Sequence, residues 1–216
     1  MLKIGLSGFS SKLQHRHLGA IASLILISLL CSWNGLPSHH AISNCWEGFL
    51  WGMADPVIGL NRLASIVAIG LLSAGVVRGT LIATSFVLAA VLGMVIHLFQ
   101  LNLPSTEIAI AVSSIIFGVM LALPRPNWLI LALLGAIAGL VQGYDNGQSI
   151  IGTGVISLLA YILGVTLTQY AVVMSAKEIG NTITRANINK ILSKVIIVVG
   201  FAFCAIGIVF LQSSIG

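Results

Sequence analysis

The stretch Gly79-Thr80-Leu81-Ile82-Ala83-Thr84-Ser85-Phe86-Val87-Leu88-Ala89-Ala90-Val91-Leu92-Gly93-Met94-Val95-Ile96-His97-Leu98-Phe99 contains no Asp, Glu, Lys or Arg. At a helical rise of about 1.5 Å per residue, a run of this length crosses the roughly 30 Å hydrocarbon core of a bilayer. Its apolar side chains lie all around a helix and show no period of two, so it reads as a membrane helix and not as a strand of a membrane barrel. Similar runs flank it, and the sequence predicts helices at 57–77, 79–99, 106–123, 128–143, 149–174 and 193–212. Short polar connections separate them, as expected of antiparallel neighbours. The class is all-α: a polytopic membrane bundle of six mature helices, each satisfying its own backbone groups.

Composition agrees. Of 216 residues, 58% are hydrophobic and 7% charged, against about 25% charged in a soluble domain. Ten Lys/Arg and five Asp/Glu cannot cover a soluble exterior, so the lipid bilayer is the partner of most of the surface. Soluble enzymes, disordered tails and nucleic-acid modules are excluded, the last because they need a clustered basic face in water. No Walker loop, Ser-His-Asp set or HExxH helix is present, and the sequence gives no case for an enzyme.

Residues 1–40 form a separate unit. Lys3, Lys12 and Arg16 precede the apolar run Leu18–Leu30, and Trp33, Asn34, Gly35 and Pro37 end it, which is the pattern of a signal sequence or of an extra N-terminal transmembrane helix. Residues 41–216 then make one six-helix membrane domain. Arg78, Arg125, Lys177, Arg185, Lys190 and Lys194 fall in the first, third and fifth connections, whereas Glu47, Glu107 and Asp145 fall on the other side. The positive-inside rule therefore predicts both mature termini on the outer, periplasmic or lumenal, face. The net charge of +5 is a topology signal. The polar stretch Ser175–Lys194 reads as a solvated turn or a short basic helix on an anionic leaflet. Cys31, Cys45 and Cys204 match no CxxC spacing and read as single thiols.

Within the spans, few residues carry chemistry. Asp55 and Arg62 stand seven positions apart, on one face of a continuous helix, with Pro56 and Gly59 loosening the turn between them. They read either as a neutralising pair or as a substrate or ion site, since ionisable groups in membrane helices mark function by default. A second polar cluster, Gln142-Gly143-Tyr144-Asp145-Asn146-Gly147-Gln148, closes the fourth span at the same outer face. It reads as part of a shared vestibule or as a polar turn of Asn-Gly type. Gly135, Gly139, Gly143 and Gly147 recur every four residues, which predicts close approach of a neighbouring helix. His97 reads as a packed or interfacial imidazole. His39 and His40, adjacent near the start of the mature chain, are candidate metal-binding residues or an exposed tail. Trp46, Trp51 and Trp128 lie near span ends as interfacial anchors.

The run Glu47-Gly48-Phe49 through Gly52, then Asp55-Pro56-Val57-Ile58-Gly59-Leu60-Asn61-Arg62 and Ala68-Ile69-Gly70-Leu71, resembles the HupE/UreJ membrane proteins, and Gln142 to Gly152 is similar to their second motif. The resemblance covers about residues 37–213 and implies a signal segment, six mature spans and a permease for nickel or cobalt serving hydrogenase and urease maturation. It also implies metal ligands in two motifs, His-Pro-x-x-Gly-x-Asp-His and a His-Gly motif ending in Glu. This chain departs at each ligand: Asp55 stands for the first His, Asn61 for the Asp, Arg62 for the second His, Gln142 for the later His and Gln148 for the Glu. Pro56, Gly59, Gly143 and Gly147 remain. Amides and a guanidinium replace borderline metal ligands. A fixed Arg62 at 4 Å and an effective dielectric near 20 would repel a divalent ion by roughly 8 kcal/mol, and Asp55, with Asp145, could neutralise it.

The candidate pathway residues are thus Asp55, Asn61, Arg62, Gln142, Tyr144, Asp145 and Gln148, with Asp55, His39 and His40 as candidate metal contacts. Three readings follow. The chain is a HupE/UreJ-type transporter of nickel, cobalt or another solute. It is a non-transporting helical subunit or assembly partner of a larger membrane complex, with that complex or a homo-oligomer as its partner beside the lipid bilayer. Or it is a facilitator of a small neutral or anionic solute, selected by hydrogen bonds from Arg62, Gln142 and Gln148.

Overall fold

Asn44 starts the first helix of the membrane domain. Its Oδ1 accepts from Glu47 N at 2.9 Å, while Glu47 Oε2 accepts from Ser43 N at 2.9 Å and Ser43 Oγ at 2.6 Å, a reciprocal cap that satisfies donors otherwise left open at a helix start. The computed structural model describes residues 19–28, 42–99, 101, 106–123, 127–148, 154–185 and 190–215. Among them are helices α1 (Gly19–Ser28), α2 (Cys45–Ile58), α3 (Leu60–Ser73), α4 (Gly79–Leu98), α5 (Thr106–Ala122), α6 (Trp128–Gly147), α7 (Val155–Arg185) and α8 (Lys190–Ile215), and no strand. Cys31, His39 and His40 lie outside the described residues.

Four helical segments, Gly79–Leu98, Trp128–Gly147, Val155–Thr184 and Ile196–Ser214, are long and apolar enough to cross a membrane. The α2–α3 pair adds a fifth if counted as one span, and α5, at 17 residues, is shorter. Their number and hydropathy fit an integral, multi-pass membrane protein. The surface is correspondingly apolar: Leu88, Leu133, Leu159 and Phe201 are each more than half exposed, as expected where lipid replaces water.

The first span, expected over 57–77, instead begins at Cys45 and is made of two helices, Cys45–Ile58 and Leu60–Ser73, bent by 78° at Gly59. Pro56 supplies no backbone N–H to the helix ladder and crowds the preceding turn, and Gly59 takes an extended conformation (φ −81°, ψ 107°), so the helix ends there. Two further expectations are corrected at helix ends. The polar segment after Gly143 is not a turn, because α6 continues to Gly147 with Gln142, Tyr144, Asp145 and Asn146 buried. Ser175–Arg185 is neither loop nor separate surface helix but the end of α7, where buried Ala176 and Ile179 prolong its packed face.

Small residues set the pairings. On α6, a methyl added at Gly135 would meet Ile69 Cδ1 at 3.1 Å and one at Gly147 would meet His97 Cβ at 2.6 Å, while at Gly139 and Gly143 it would strike the carbonyls of Phe86 and Ala90. The last three contacts rise in register along both helices, so α6 lies parallel to α4. By the same measure Gly48 and Gly70 lie against the Ser157 and Val173 carbonyls (2.5 and 2.6 Å), so α2 and α3 follow α7 in the same sense of direction. Gly118 and Gly207 lie against the Gly200 and Ala111 carbonyls (2.6 and 2.8 Å), which sets α5 antiparallel to α8. These directions are those of a chain that reverses at each successive span.

At the α3–α4 end, Gly75 has φ 68°, a left-handed value that glycine adopts without strain, and its N–H donates to Asn181 Oδ1 at 2.8 Å. The Arg78 guanidinium lies 4.5 Å over the Trp128 ring, tying the starts of α4 and α6 together. Ile66, Ile69, Leu72, Ile82, Phe86, Phe117 and Leu131 fill the core between the pairs.

Candidate functional site

The break at Gly59 leaves Asp55 in the last turn of α2 and places Arg62 in the first turn of α3. Because the two halves diverge by 78°, a seven-residue separation no longer means one helix face. Arg62 Nη2 instead donates to Asp145 Oδ2 on α6, forming an ion pair. The ion pair is thus made with Asp145, and the charge of Asp55 also acts on Arg62. The other Asp145 oxygen accepts from Thr106 Oγ1 of α5 at 3.3 Å. Asp55, 5% exposed, accepts from the Tyr161 hydroxyl of α7 at 2.5 Å, and the same hydroxyl lies 3.2 Å from the Asn146 carbonyl. Three charges and their hydrogen-bond partners from α2, α3, α5, α6 and α7 thus converge at one break inside the helix bundle.

Around them lie neutral polar groups. Asn61 Oδ1 accepts from Ser114 Oγ at 2.8 Å, and Ser114 is 2.8 Å from Ser65 Oγ, which donates to the Asn61 carbonyl at 3.2 Å. This closed set joins α3 to α5. Tyr144 donates to the Leu101 carbonyl at 2.5 Å and its ring meets His97 edge-on at 4.5 Å, so His97 is a packed imidazole. Gln148 caps α6 through its backbone N–H, given to the Asn146 and Asp145 carbonyls. Gln142, 1% exposed, and Asn146, 0% exposed, have both side-chain amide atoms without a hydrogen-bond partner among the described residues. Each such buried group costs about 1–3 kcal/mol.

The structure therefore brings Asp55, Arg62 and Asp145 into one cluster. It sets Asn61 in an adjoining network with Ser114, Gln142 one turn below Asp145, and Tyr144 and Gln148 at its rim. Gly139, Gly143 and Gly147 lie toward α4 and Gly135 against Ile69 of α3, outside the cluster. Sequence reasoning missed Tyr161, Thr106 and Ser114. Tyr161 is a lone phenol in an apolar run and could have been flagged, but hydroxyls such as Thr106 and Ser114 are too common in membrane helices to stand out.

Chemically, the cluster holds two carboxylates, one guanidinium and one phenol, at a place where backbone is interrupted and polar groups are dear. Among the described residues no group of three His, Cys, Asp or Glu is arranged to hold a metal ion. A family model described as HupE / UreJ protein matches residues 9–210. The chain belongs to the HupE/UreJ family. This is a family of nickel/cobalt transport-related membrane proteins, transporter-type and not enzymes. No curated protein and no solved structure matches the chain. The positions at which the HupE/UreJ resemblance implies ligands, 55, 61, 62 and 142, all lie at or beside the broken helix, and position 148 closes α6 above it.

Proposed function

We propose that this HupE/UreJ chain is a permease of the nickel/cobalt type whose route passes the Asp55–Arg62–Asp145 cluster. The observation that carries the reading is the convergence of three charged side chains on a broken helix inside a membrane bundle. A continuous helix offers no free backbone groups to a passing ion, whereas a break within a bundle does. In this reading six spans cross the membrane, with α5 as one of them. Both mature termini lie outside, and residues 1–40 serve as export signal or extra helix.

Arg62 gives the route a particular character. Its guanidinium occupies Asp145, so a metal cargo competes with an internal cation and cannot simply fall into a ligand cage. Passage needs Arg62 to lean away from the incoming ion, with Asp55 on the far side of the break ready to share its charge. Asp55, held by Tyr161, is the cation-attracting group of the route.

A second reading is favoured by the same ion pair. Arg62–Asp145 is itself a filled charge site, and a relative that keeps the bundle but has given up metal transport would serve as a helical subunit of a membrane complex. Nickel and cobalt accumulation in cells lacking their own uptake systems separates the two. The comparison is between the native chain, an empty vector and a variant carrying Asp55→His, Asn61→Asp, Arg62→His, Gln142→His and Gln148→Glu, all with membrane insertion verified. Accumulation by the native chain supports the permease; accumulation by the variant alone supports the subunit.

A further inference from the structure

Away from the charged cluster, where the α3–α4 turn meets the end of α7, the structure holds a cleft of about 310 Å³, a size within the range of small-molecule sites. Its walls include Gly75, Val77, Gly79 and Thr80 on one side and Lys177 and Asn181 of α7 on the other, and none of its lining residues is acidic. Lys177 reaches across it: Nζ donates to Thr80 Oγ1 at 2.7 Å, and Cε lies 3.4 Å from where a Cβ on Gly79 would sit. An ammonium has three donors, of which Thr80 takes one, and the Thr80 hydroxyl, accepting from Lys177, keeps its own proton to give. Asn181 is already engaged, accepting from Gly75 N–H at 2.8 Å and donating to Glu178 Oε1 at 3.3 Å. The cleft thus offers an ammonium and a hydroxyl to an anion.

This end of the bundle is basic. Arg78 stands at the start of α4 with its guanidinium over Trp128, α7 ends at Arg185 and α8 begins at Lys190. Tryptophan favours the headgroup level of a bilayer, which sets the cleft at that level too.

The surface below the cleft separates a lipid headgroup from a soluble anion. Val77, in the wall, is fully exposed, and so in large part are Leu81 and Leu88 of α4 and Leu163 and Tyr170 of α7. Leu81 and Leu88 stand seven apart, as do Leu163, Tyr170 and Lys177. Seven residues are close to two helical turns, about 10 Å, so each set keeps one helix face. An apolar track therefore descends from the cleft on each of the two helices that form it.

We propose that this cleft is the headgroup site of an anionic phospholipid, its phosphate taken by Lys177 and Thr80 and its acyl chains laid along the exposed faces of α4 and α7. In the proposed topology this is the cytoplasmic leaflet, where basic pockets between membrane helices meet anionic lipids. The lipid joins the α3–α4 turn to the end of α7 and so braces α3, the helix that carries Arg62. The site does not depend on what the chain transports.

The test titrates the full chain, purified in detergent, with dioleoylphosphatidylglycerol or dioleoylphosphatidylcholine and counts retained lipid by native mass spectrometry. The native chain is expected to retain the anionic lipid in preference to the zwitterionic one. Lys177→Gln is expected to weaken that retention about fivefold, and Lys177→Arg to keep it. Arg125→Gln, an equal loss of charge in the connection between α5 and α6, is expected to weaken it about twofold or less. Thr80→Val serves as a second probe of the cleft, with a change in the same direction as Lys177→Gln.

Equal retention by the native chain, Lys177→Gln and Thr80→Val overturns the proposal. A fall for Arg125→Gln as large as that for Lys177→Gln marks diffuse charge attraction and overturns it as well. Inorganic phosphate, at the lipid's own concentration, is expected to leave the thermal unfolding midpoint unchanged while phosphatidylglycerol raises it; a phosphate shift equal to the lipid's assigns the cleft to a soluble anion and overturns the lipid.

Discussion

Arg62 and Asp145, 83 positions apart, are joined as an ion pair that ties the start of α3 to the last turn of α6. Each lies in a different helix pair, α3 beside α7 and α6 beside α4, so the bond crosses the centre of the bundle. The Arg62 stem lies over the break, with its Cδ 3.2 Å from where a Cβ on Gly59 would sit.

Removing one partner strands the other charge in a low-dielectric interior. Arg62→Leu or Asp145→Leu is expected to cost about 3–5 kcal/mol, and the double variant is expected to recover much of that loss, because desolvating the pair is itself expensive. Thermal unfolding of the purified protein in detergent measures both effects. Equal midpoints for the single variants and the native chain would contradict the pairing.

Tyr161→Phe keeps the ring and removes the hydroxyl that donates to the Asp55 carboxylate and lies against the Asn146 carbonyl. A loss of about 1–3 kcal/mol is expected from the same unfolding measurement. The double variant with Asp55→Leu should lose less than the sum of the two single losses, since the bond is counted once.

The glycine stripe makes a steric prediction. At Gly143 a side chain would be driven into the Ala90 carbonyl, and at Gly139 into that of Phe86, both rigid backbone atoms. Gly143→Val is expected to separate α4 from α6 and destabilise the fold by about 3 kcal/mol. Gly154→Ala, at a position with open space around it, should leave the midpoint unchanged, and the two measured side by side check the assignment.

Much of this is legible in the sequence because lipid imposes simple rules. The apolar runs could be read as helices at Gly79–Leu98 or Ile196–Ser214 since length and hydropathy alone decide them. The weakness of the first span at Pro56 and Gly59 was equally legible, being a property of those residues. What could not be read was the direction taken after the break, and hence that Arg62 meets a residue on α6: that depends on how the helix pairs dock. The segment Gly143-Tyr144-Asp145-Asn146-Gly147 has the composition of a turn, yet it is helix because α4 packs against its glycines and Arg62 and Tyr161 engage its other face. Tertiary contacts there override local preference. The amides of Gln142, Asn146 and Gln169 were visible as polar letters in apolar text, but only the structure shows them buried without a hydrogen-bond partner among the described residues.

The most direct test of the proposed route is nickel and cobalt accumulation by the native chain against Asp55→Asn, an isosteric change that keeps an acceptor for Tyr161 while removing the charge facing Arg62. Both proteins are compared at equal membrane abundance in cells without other uptake systems. The account predicts accumulation above the empty vector for the native chain and its loss to the vector level for Asp55→Asn. Undiminished accumulation by the variant, or none by the native chain, would contradict it.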